Sequence, residues 1–275
     1  MDPRLQRRVQ RYGWDKAAAC YQRYWAAQLA PGQQQLLEFA ALQPGECVLD
    51  VACGTGLVTL VAAEAVGSAG HIVATDLSES MVAHVAAEAE WRRLMHVSTE
   101  RMDAESLRFD NRSFDAVLCA FGLMYVPDAA AALKEMVRVL RPGGRAAIAV
   151  WGARHSCGWA DIFPIVERRV SSEVCPLFFQ LGTGDRLRMT METAGFTDIN
   201  IIRMSTTLSY ASDDDACGAA FAGGPVALAY SRFDAAVRDD AHVEYLRSIE
   251  SWRIGRGFAV PGEFVVARGF VGNDG

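Results

Sequence analysis

The sequence predicts an α/β protein built on a doubly wound, mainly parallel sheet, and two observations carry that expectation. The first is a short apolar run that ends in a tight glycine turn, "VLDVACGTG" at residues 48–56. The second is the alternation of strand-like and helix-like segments that continues from there to residue 151. Alternating βα units give parallel strands joined by right-handed crossovers, with helices on both faces.

Residues 46–51 form a short apolar run, as expected of a strand buried on both faces. Residues 57–65 read as the helix that follows, and residues 71–75 as the second strand. Ser78 is placed to N-cap a helix that runs to Trp91. Third and fourth strands are expected over 95–101 and 114–119. Asp128 can cap the next helix, whose Leu133, Met136, Val137 and Leu140 fall on one face at i, i+3, i+4 and i+7. The "RPGG" stretch, residues 141–144, is expected to end that helix, because proline cannot continue it and glycine tolerates positive φ. A fifth strand then falls at 146–150. Further on, residues 185–194 read as a helix closed by Gly195, and 197–207 are rich in β-branched residues. Ser212 precedes three aspartates, which reads as a capped helix start with acids where the dipole favours them. Helical stretches over 213–222 and 233–252 lead to a last strand near 264–270.

At 275 residues, 51% hydrophobic and 22% charged, the chain has globular composition and the length of one large domain. A formal net charge of −6 argues against a nucleic-acid partner, which needs a basic footprint. The amino terminus lacks the apolar run of a secretory leader, and no segment approaches the ~18 apolar residues of a membrane span. Seven scattered cysteines without a C-x-x-C pair read as free thiols. A cytoplasmic protein with no membrane partner and no bound metal is the resulting expectation.

Ligands of such sheets bind at the carboxyl ends of the strands. That places Gly54, Gly56, Asp76, Asp103 and residues 120–125 on one rim. A dinucleotide fingerprint would add a third glycine, whereas Gly54-Thr55-Gly56 is followed by Leu57-Val58-Thr59. Asp76 lies about twenty residues beyond the turn, where an acid accepts both ribose hydroxyls. Asp103, after the third strand, is placed to accept an adenine amine.

The stretches "VLDVACGTG", "ATDLSESMV", "RMDAESLRFDNRSFDAVLCAFGLMYVPD" and "VRVLRPGGR" occur in order and in register. Together they resemble class I S-adenosylmethionine-dependent methyltransferases, in particular the ubiquinone/menaquinone-biosynthesis type that acts on small molecules. The resemblance runs from about Glu46 to Trp151. It implies a Rossmann-like, seven-stranded sheet with a helical lid over 1–45 and a cofactor-binding core over 46–151. The remainder, 152–275, would carry helical substrate-cap insertions, all within one structural domain. It implies S-adenosyl-L-methionine as cofactor and a small-molecule methyl acceptor. By the same resemblance Asp50, Ala52, Cys53, Gly54 and Gly56 face the methionine part, Asp76 the ribose, and Leu77 the adenine, with Met81 in the same site. Asp103 would meet the adenine amine, Ala104 the ring, and Ala120 the methionine amino group. Ala52 departs from the family's usual glycine, and Cys53 reads as a small buried packing residue.

The segment "YGWDKAAACYQRYW" resembles the family's lid. Its Tyr21 and Trp25 share a helix face, either to close the site or to pack the helix on the core. Residues 221–270 resemble an insertion that some relatives carry. His155, just after the fifth strand in "WGARHSCGW", is the candidate general base, and Tyr125 the candidate for orienting an acceptor or walling its pocket. Trp159, Phe163, Phe178, Phe179, Phe221, Tyr230 and Phe233 crowd the expected cap and predict a hydrophobic or aromatic acceptor. Three rival readings stand beside this one. A nicotinamide-dependent oxidoreductase lacks its third glycine, and the Tyr12/Lys16 pair lies upstream of the turn. A base-amine methyltransferase would carry Asn/Asp-Pro-Pro-aromatic where this chain has Cys119-Ala120-Phe121-Gly122-Leu123. A cofactor-binding scaffold without methyl transfer remains open, since a fold does not fix chemistry.

Overall fold

The computed structural model describes residues 2–170 and 177–272. A single sheet organises them, in the order β3-β2-β1-β4-β5-β8-β6. Its parallel half consists of β1 (Cys47–Val51), β2 (His71–Asp76), β3 (Val97–Arg101), β4 (Phe114–Ala120) and β5 (Leu140–Trp151). The other half is antiparallel: β8 (Gly257–Val271) is inserted between β5 and β6 (Phe196–Tyr210). A two-residue strand, β7 (Arg253–Ile254), pairs with the start of β8. The seven-stranded expectation describes the main path, and β7 adds a short eighth strand to it.

Three helix starts are set by capping residues that the sequence predicts. Ser78 Oγ accepts the Met81 N–H at 3.2 Å and opens α3 (Glu79–Trp91). Asp128 accepts from Ala131 N at 2.9 Å and opens α4 (Ala129–Val139). Between β1 and β2 runs α2 (Thr59–Val66). Helix α4 stops ahead of the "RPGG" stretch, at an extended Leu140. Pro142 disfavours helix at the residue before it as well as at its own position, so β5 begins six residues earlier than the expected Ala146.

Past β5 come α5 (Ile162–Glu167) and α6 (Arg186–Ala194), the latter closed by Gly195 at φ +111°. The chain between β6 and β8 is a helical insertion of α7 (Asp213–Cys217), a π-helical turn (Gly218–Ala222), α8 (Ala227–Tyr230) and α9 (Ala235–Ser248). Ser212 caps α7 through Asp215 N at 3.1 Å.

Strand β8 starts well before the expected residue 264. Its first seven residues, 257–263, pair with β6 beyond the point where Trp151 faces Phe264, so this ribbon projects about 23 Å past the end of β5. Pro261 is tolerated there because its carbonyl, on the side away from β6, receives the Gly158 N–H at 2.9 Å. The ribbon lifts the insertion above the carboxyl ends of the parallel strands.

One continuous helix, α1 (Pro3–Ala40), makes up the amino-terminal segment. Asp2 caps it and Pro3 occupies its first turn, while Pro31 removes one internal hydrogen bond. Its buried stripe runs through Gln6, Gln10, Gly13, Ala17, Trp25, Leu29, Gly32, Leu36 and Ala40. The carboxyl end is clamped to the sheet by Arg145, which donates to the Ala40 carbonyl and pairs with Glu46 at 2.7 Å. At Gly32 the helix comes so close to the sheet that a Cβ would meet Phe121 at 2.7 Å and Phe264 at 2.9 Å. Six cysteines are free thiols, and Cys175 lies outside the described residues. Among the described residues no helix is long and apolar enough to cross a membrane.

Candidate functional site

An open cleft of about 760 Å³ runs along the carboxyl ends of β1, β2, β3 and β4, roofed by α1. Its floor is the glycine turn after β1. Ala52, Gly54 and Gly56 take φ values of +57°, +55° and +87°, which coil the chain tightly enough to aim its backbone at the cleft. The turn is pinned at its base, where Cys53 N donates to Thr75 O at 3.0 Å.

Ala52 bears the strain of this conformation with a side chain, because the left-handed region costs an L-residue about 1–2 kcal/mol. Its methyl faces Gly122, where an added Cβ would collide with the Ala52 Cβ at less than 3.0 Å. Gly122 itself has φ −97°, so its backbone does not require glycine. The extra methyl at position 52 is therefore matched by a missing one at 122.

Three carboxylates belong to this region, Asp76 and Asp103 on the cleft wall and Asp50 in a recess beside it. Asp50, at the end of β1, is 1% exposed; its Oδ2 accepts from Thr59 Oγ1 at 2.6 Å, and its Oδ1 has no partner. The Thr55 hydroxyl is also buried without a partner. Both residues line a side recess together with Tyr21, Gln33, Cys53 and Ala120. Burial pushes the Asp50 carboxyl up to about 7, against the Thr59 hydrogen bond and with some help from the negative charge of Asp76.

Asp76 accepts Gly54 N and Ser78 N, each at 2.9 Å, so it joins the glycine turn to the start of α3. Burial raises it to about 6; the backbone donors oppose this, and Asp15 adds to it. Asp103 accepts from Glu105 N at 3.0 Å and pairs with Arg7 of α1 at 2.9 Å. Arg7 also reaches Glu105 at 2.6 Å, and Ser78 Oγ donates to Asp15 of α1 at 2.6 Å. These contacts hold the amino-terminal half of α1 down over the cleft.

The cleft gathers Tyr21, Ala52, Gly54, Asp76, Leu77, Met81, Asp103, Ala104, Ala120 and Tyr125 on its walls. Asp50 and Cys53 line the recess. Cys53 contacts the Gly54 carbonyl, and burial drives its thiol well up, which suits a packing residue. Gly56 does not line the cleft: it turns back toward α3, where a Cβ would press on Val85 at 3.1 Å.

His155 is the clear departure. The short 3-10 turn Arg154–Ser156 carries it to the exposed surface, outside the residues that line the cleft, the recess and the aromatic chamber described next. The same loop turns inward two residues later, so Cys157 and Trp159 are buried in its place.

Sequence reasoning did not single out Arg7, Gln10 or Trp14, which also line the cleft, while Phe121 and Gly122 fall within the expected 120–125 rim. The α1 residues were detectable: Arg7, Gln10, Trp14, Tyr21 and Trp25 recur in helical steps along one face.

Beside the cleft, a small aromatic chamber is lined by Trp14, Tyr21, Trp25, Phe121, Tyr125, Trp151, Trp159 and Phe178, with Gly224 and Pro225 from the insertion. Cleft and chamber share Trp14, Tyr21, Phe121 and Tyr125. Of the aromatic residues expected at the cap, Phe163 and Phe179 back the chamber wall, with centroids 6.0 and 5.8 Å from Trp159. Phe221, Tyr230 and Phe233 pack among themselves inside the insertion.

Comparison with known proteins places this cleft in context. Residues 48–144 match the family model described as a methyltransferase domain. The chain is similar to an aklanonic acid methyltransferase of Streptomyces sp. (strain C5), 35% identical over 134 residues, which covers 49% of this chain and 61% of that protein. It is also similar to a demethylmenaquinone methyltransferase of Bacillus cereus, 39% identical over 113 residues, 41% of this chain and 48% of the relative. The chain thus matches only about half to three-fifths of these relatives' length. The solved structure of the YcgJ protein from Bacillus subtilis shares the fold, with a TM-score of 0.65 at 16% identity over 90% of this chain and all of that one.

Proposed function

We propose that the chain, whose residues 48–144 are a methyltransferase domain, transfers a methyl group from S-adenosyl-L-methionine to a small hydrophobic or aromatic molecule. The observation that carries the reading is the pair of carboxylates Asp76 and Asp103 on the cleft wall, with the orphaned, buried Oδ1 of Asp50 in the recess beside them. An acceptor atom without a donor costs about 1–3 kcal/mol, which a cationic amino group beside Asp50 offsets. In this reading Asp50 and Thr55 hold the amino-acid end, Asp76 the ribose hydroxyls, and Asp103 the adenine amine, with Leu77, Met81 and Ala104 against the ring. Ala52, Cys53, Gly54 and Ala120 shape the wall, and Gly56 sets the turn from behind. The relatives named for aklanonic acid and demethylmenaquinone support a small-molecule acceptor. The net charge of −6 supports an enzyme without a nucleic-acid partner.

The cofactor supplies a methyl on a sulfonium, which departs as a neutral thioether. The protein's part is alignment and exclusion of water. Trp14 and Tyr21, their ring centroids 5.6 Å apart, cover the cleft from α1. Tyr125 lies 5.0 Å from Trp14 and 5.3 Å from Phe178, where cleft meets chamber, and orients the acceptor. With the cofactor held by these residues, the acceptor atom would take the methyl as the carbon–sulfur bond breaks, and its proton would pass to bulk solvent after transfer. His155 has no part in this scheme.

The test uses methyl-labelled cofactor with the purified chain and small-molecule extracts. Labelled product together with S-adenosylhomocysteine is expected. Cofactor binding without release of S-adenosylhomocysteine in any extract would instead mark a binding scaffold. By calorimetry, Asp76→Ala is expected to weaken S-adenosylhomocysteine at least about thirtyfold, for the loss of charge-assisted hydrogen bonds. Unchanged affinity refutes the placement.

A further inference from the structure

The chamber wall contains an imbalance of hydrogen bonds. Trp25 and Trp159 are 5% and 2% exposed, and both indole Nε1 atoms are buried with no acceptor in reach. A third indole on the same wall, that of Trp14, has its acceptor in Gln10 Oε1 at 3.1 Å. A buried donor left unmet forfeits its bond to water and gains nothing in return. Buried donors are almost always paired, so two orphans on one cavity wall call for a partner that the chain itself does not supply.

The rest of the lining says what that partner is. Among the described residues no acidic or basic side chain lines the chamber, so its occupant is neutral there. The walls are rings, edge to face with one another, which favours a flat conjugated body. The polar atoms left without partners are donors, so the occupant brings acceptors. Trp25 belongs to α1 and Trp159 to the loop after β5, so the two donors approach from opposite elements. Their rings touch with centroids 6.1 Å apart.

We propose that Trp25 and Trp159 are positioning residues that donate their indole N–H groups to two oxygens of a neutral, planar keto or quinone-type acceptor. This rests on the methyl-transfer reading above. It adds a selection rule: flat acceptors with carbonyl oxygens enter, whereas phosphorylated or cationic acceptors of the same size do not.

The experiment uses ¹⁵N-tryptophan-labelled full chain saturated with S-adenosylhomocysteine. The probes are 2,3-dimethyl-1,4-naphthoquinone, whose blocked ring carbons do not alkylate cysteine, and 2,3-dimethylnaphthalene, the same skeleton without oxygens. Trp25→Phe and Trp159→Phe assign the two indole signals, and the six tryptophans keep the spectrum simple. Both assigned N–H signals are expected to move downfield with the quinone and to stay in place with the hydrocarbon. The quinone should bind at least tenfold tighter than the hydrocarbon, and each Phe variant should reduce that preference by about fivefold to tenfold. A quinone that binds without moving either indole signal, or a hydrocarbon that binds as tightly, overturns the assignment of the donors. Failure of the sample to bind S-adenosylhomocysteine overturns the methyl-transfer reading, and this one with it.

Discussion

Gly122→Ala tests whether position 122 is glycine because of Ala52. The backbone at 122, φ −97° and ψ −40°, suits alanine. The added methyl would meet the Ala52 Cβ at less than 3.0 Å, whereas its next neighbours, Cys119 Sγ at 3.4 Å and Ala52 Cα at 3.6 Å, lie near ordinary contact. Overpacking of this kind costs about 1–3 kcal/mol. Unfolding a chain of this length changes entropy by about 0.6 kcal/mol/K, at ~2.1 cal/mol/K per residue, so the Tm should fall by about 2–5 °C. Ala52→Gly alone gives up roughly 1–2 kcal/mol of left-handed strain and loses about 0.5–1 kcal/mol to the freedom of glycine when unfolded. Its own effect is therefore small. In the Ala52→Gly background the collision is gone, and Gly122→Ala should cost almost nothing. Thermal and urea unfolding of the four proteins closes a double-mutant cycle, with an expected coupling of about 1–3 kcal/mol. Additive effects, with Gly122→Ala as costly in the Ala52→Gly background as in the wild type, would refute the reasoning.

Two further perturbations follow from the same structure. The Asp50 and Asp76 carboxyls stand near 7 and 6, above their ordinary 3.8, so the folded chain holds their protons more tightly than the unfolded one. The stability they contribute is complete below about pH 4 and is lost as pH rises through 6 and 7. Asp50→Asn, which keeps an acceptor for Thr59, should gain on the wild type in Tm between about pH 5 and 8 without cofactor; a gap independent of pH contradicts this. Gly32→Ala should destabilise by about 1–3 kcal/mol, although alanine in a helix is worth about 1 kcal/mol over glycine, because its methyl would press on Phe121 and Phe264. A rise in Tm would show that α1 does not sit where the structure places it.

Much of the fold was legible because its determinants are local. Ser78, Asp128 and Ser212 open helices through bonds to N–H groups three residues ahead, and such bonds are written in sequence spacing. Strands β1, β2 and β4 begin within a residue of their expected starts, since apolar runs bounded by turns need no distant information. Strand β8 was half missed because its first residues are held as strand by pairing with the distant β6, with the Pro261 carbonyl facing away from that partner. Asp76 and Asp103, expected on one rim from their spacing relative to the glycine turn, both line the cleft. His155 was chosen for its place just after β5, and one turn of 3-10 helix aims it outward.

The sequence by itself determined the order of the parallel strands' segments, the glycine turn, the acids that follow it, and a family resemblance carried mainly by the core. Each of these depends on residues within one βα unit. Only the tertiary structure decided that α1 roofs the cleft through Arg7 and Asp15, that Ala52 is matched by Gly122, and that Trp25 and Trp159 share a wall as unpaired donors. These are relations between segments far apart in the chain. They exist only once the sheet has brought the ends of its strands together beneath the helix.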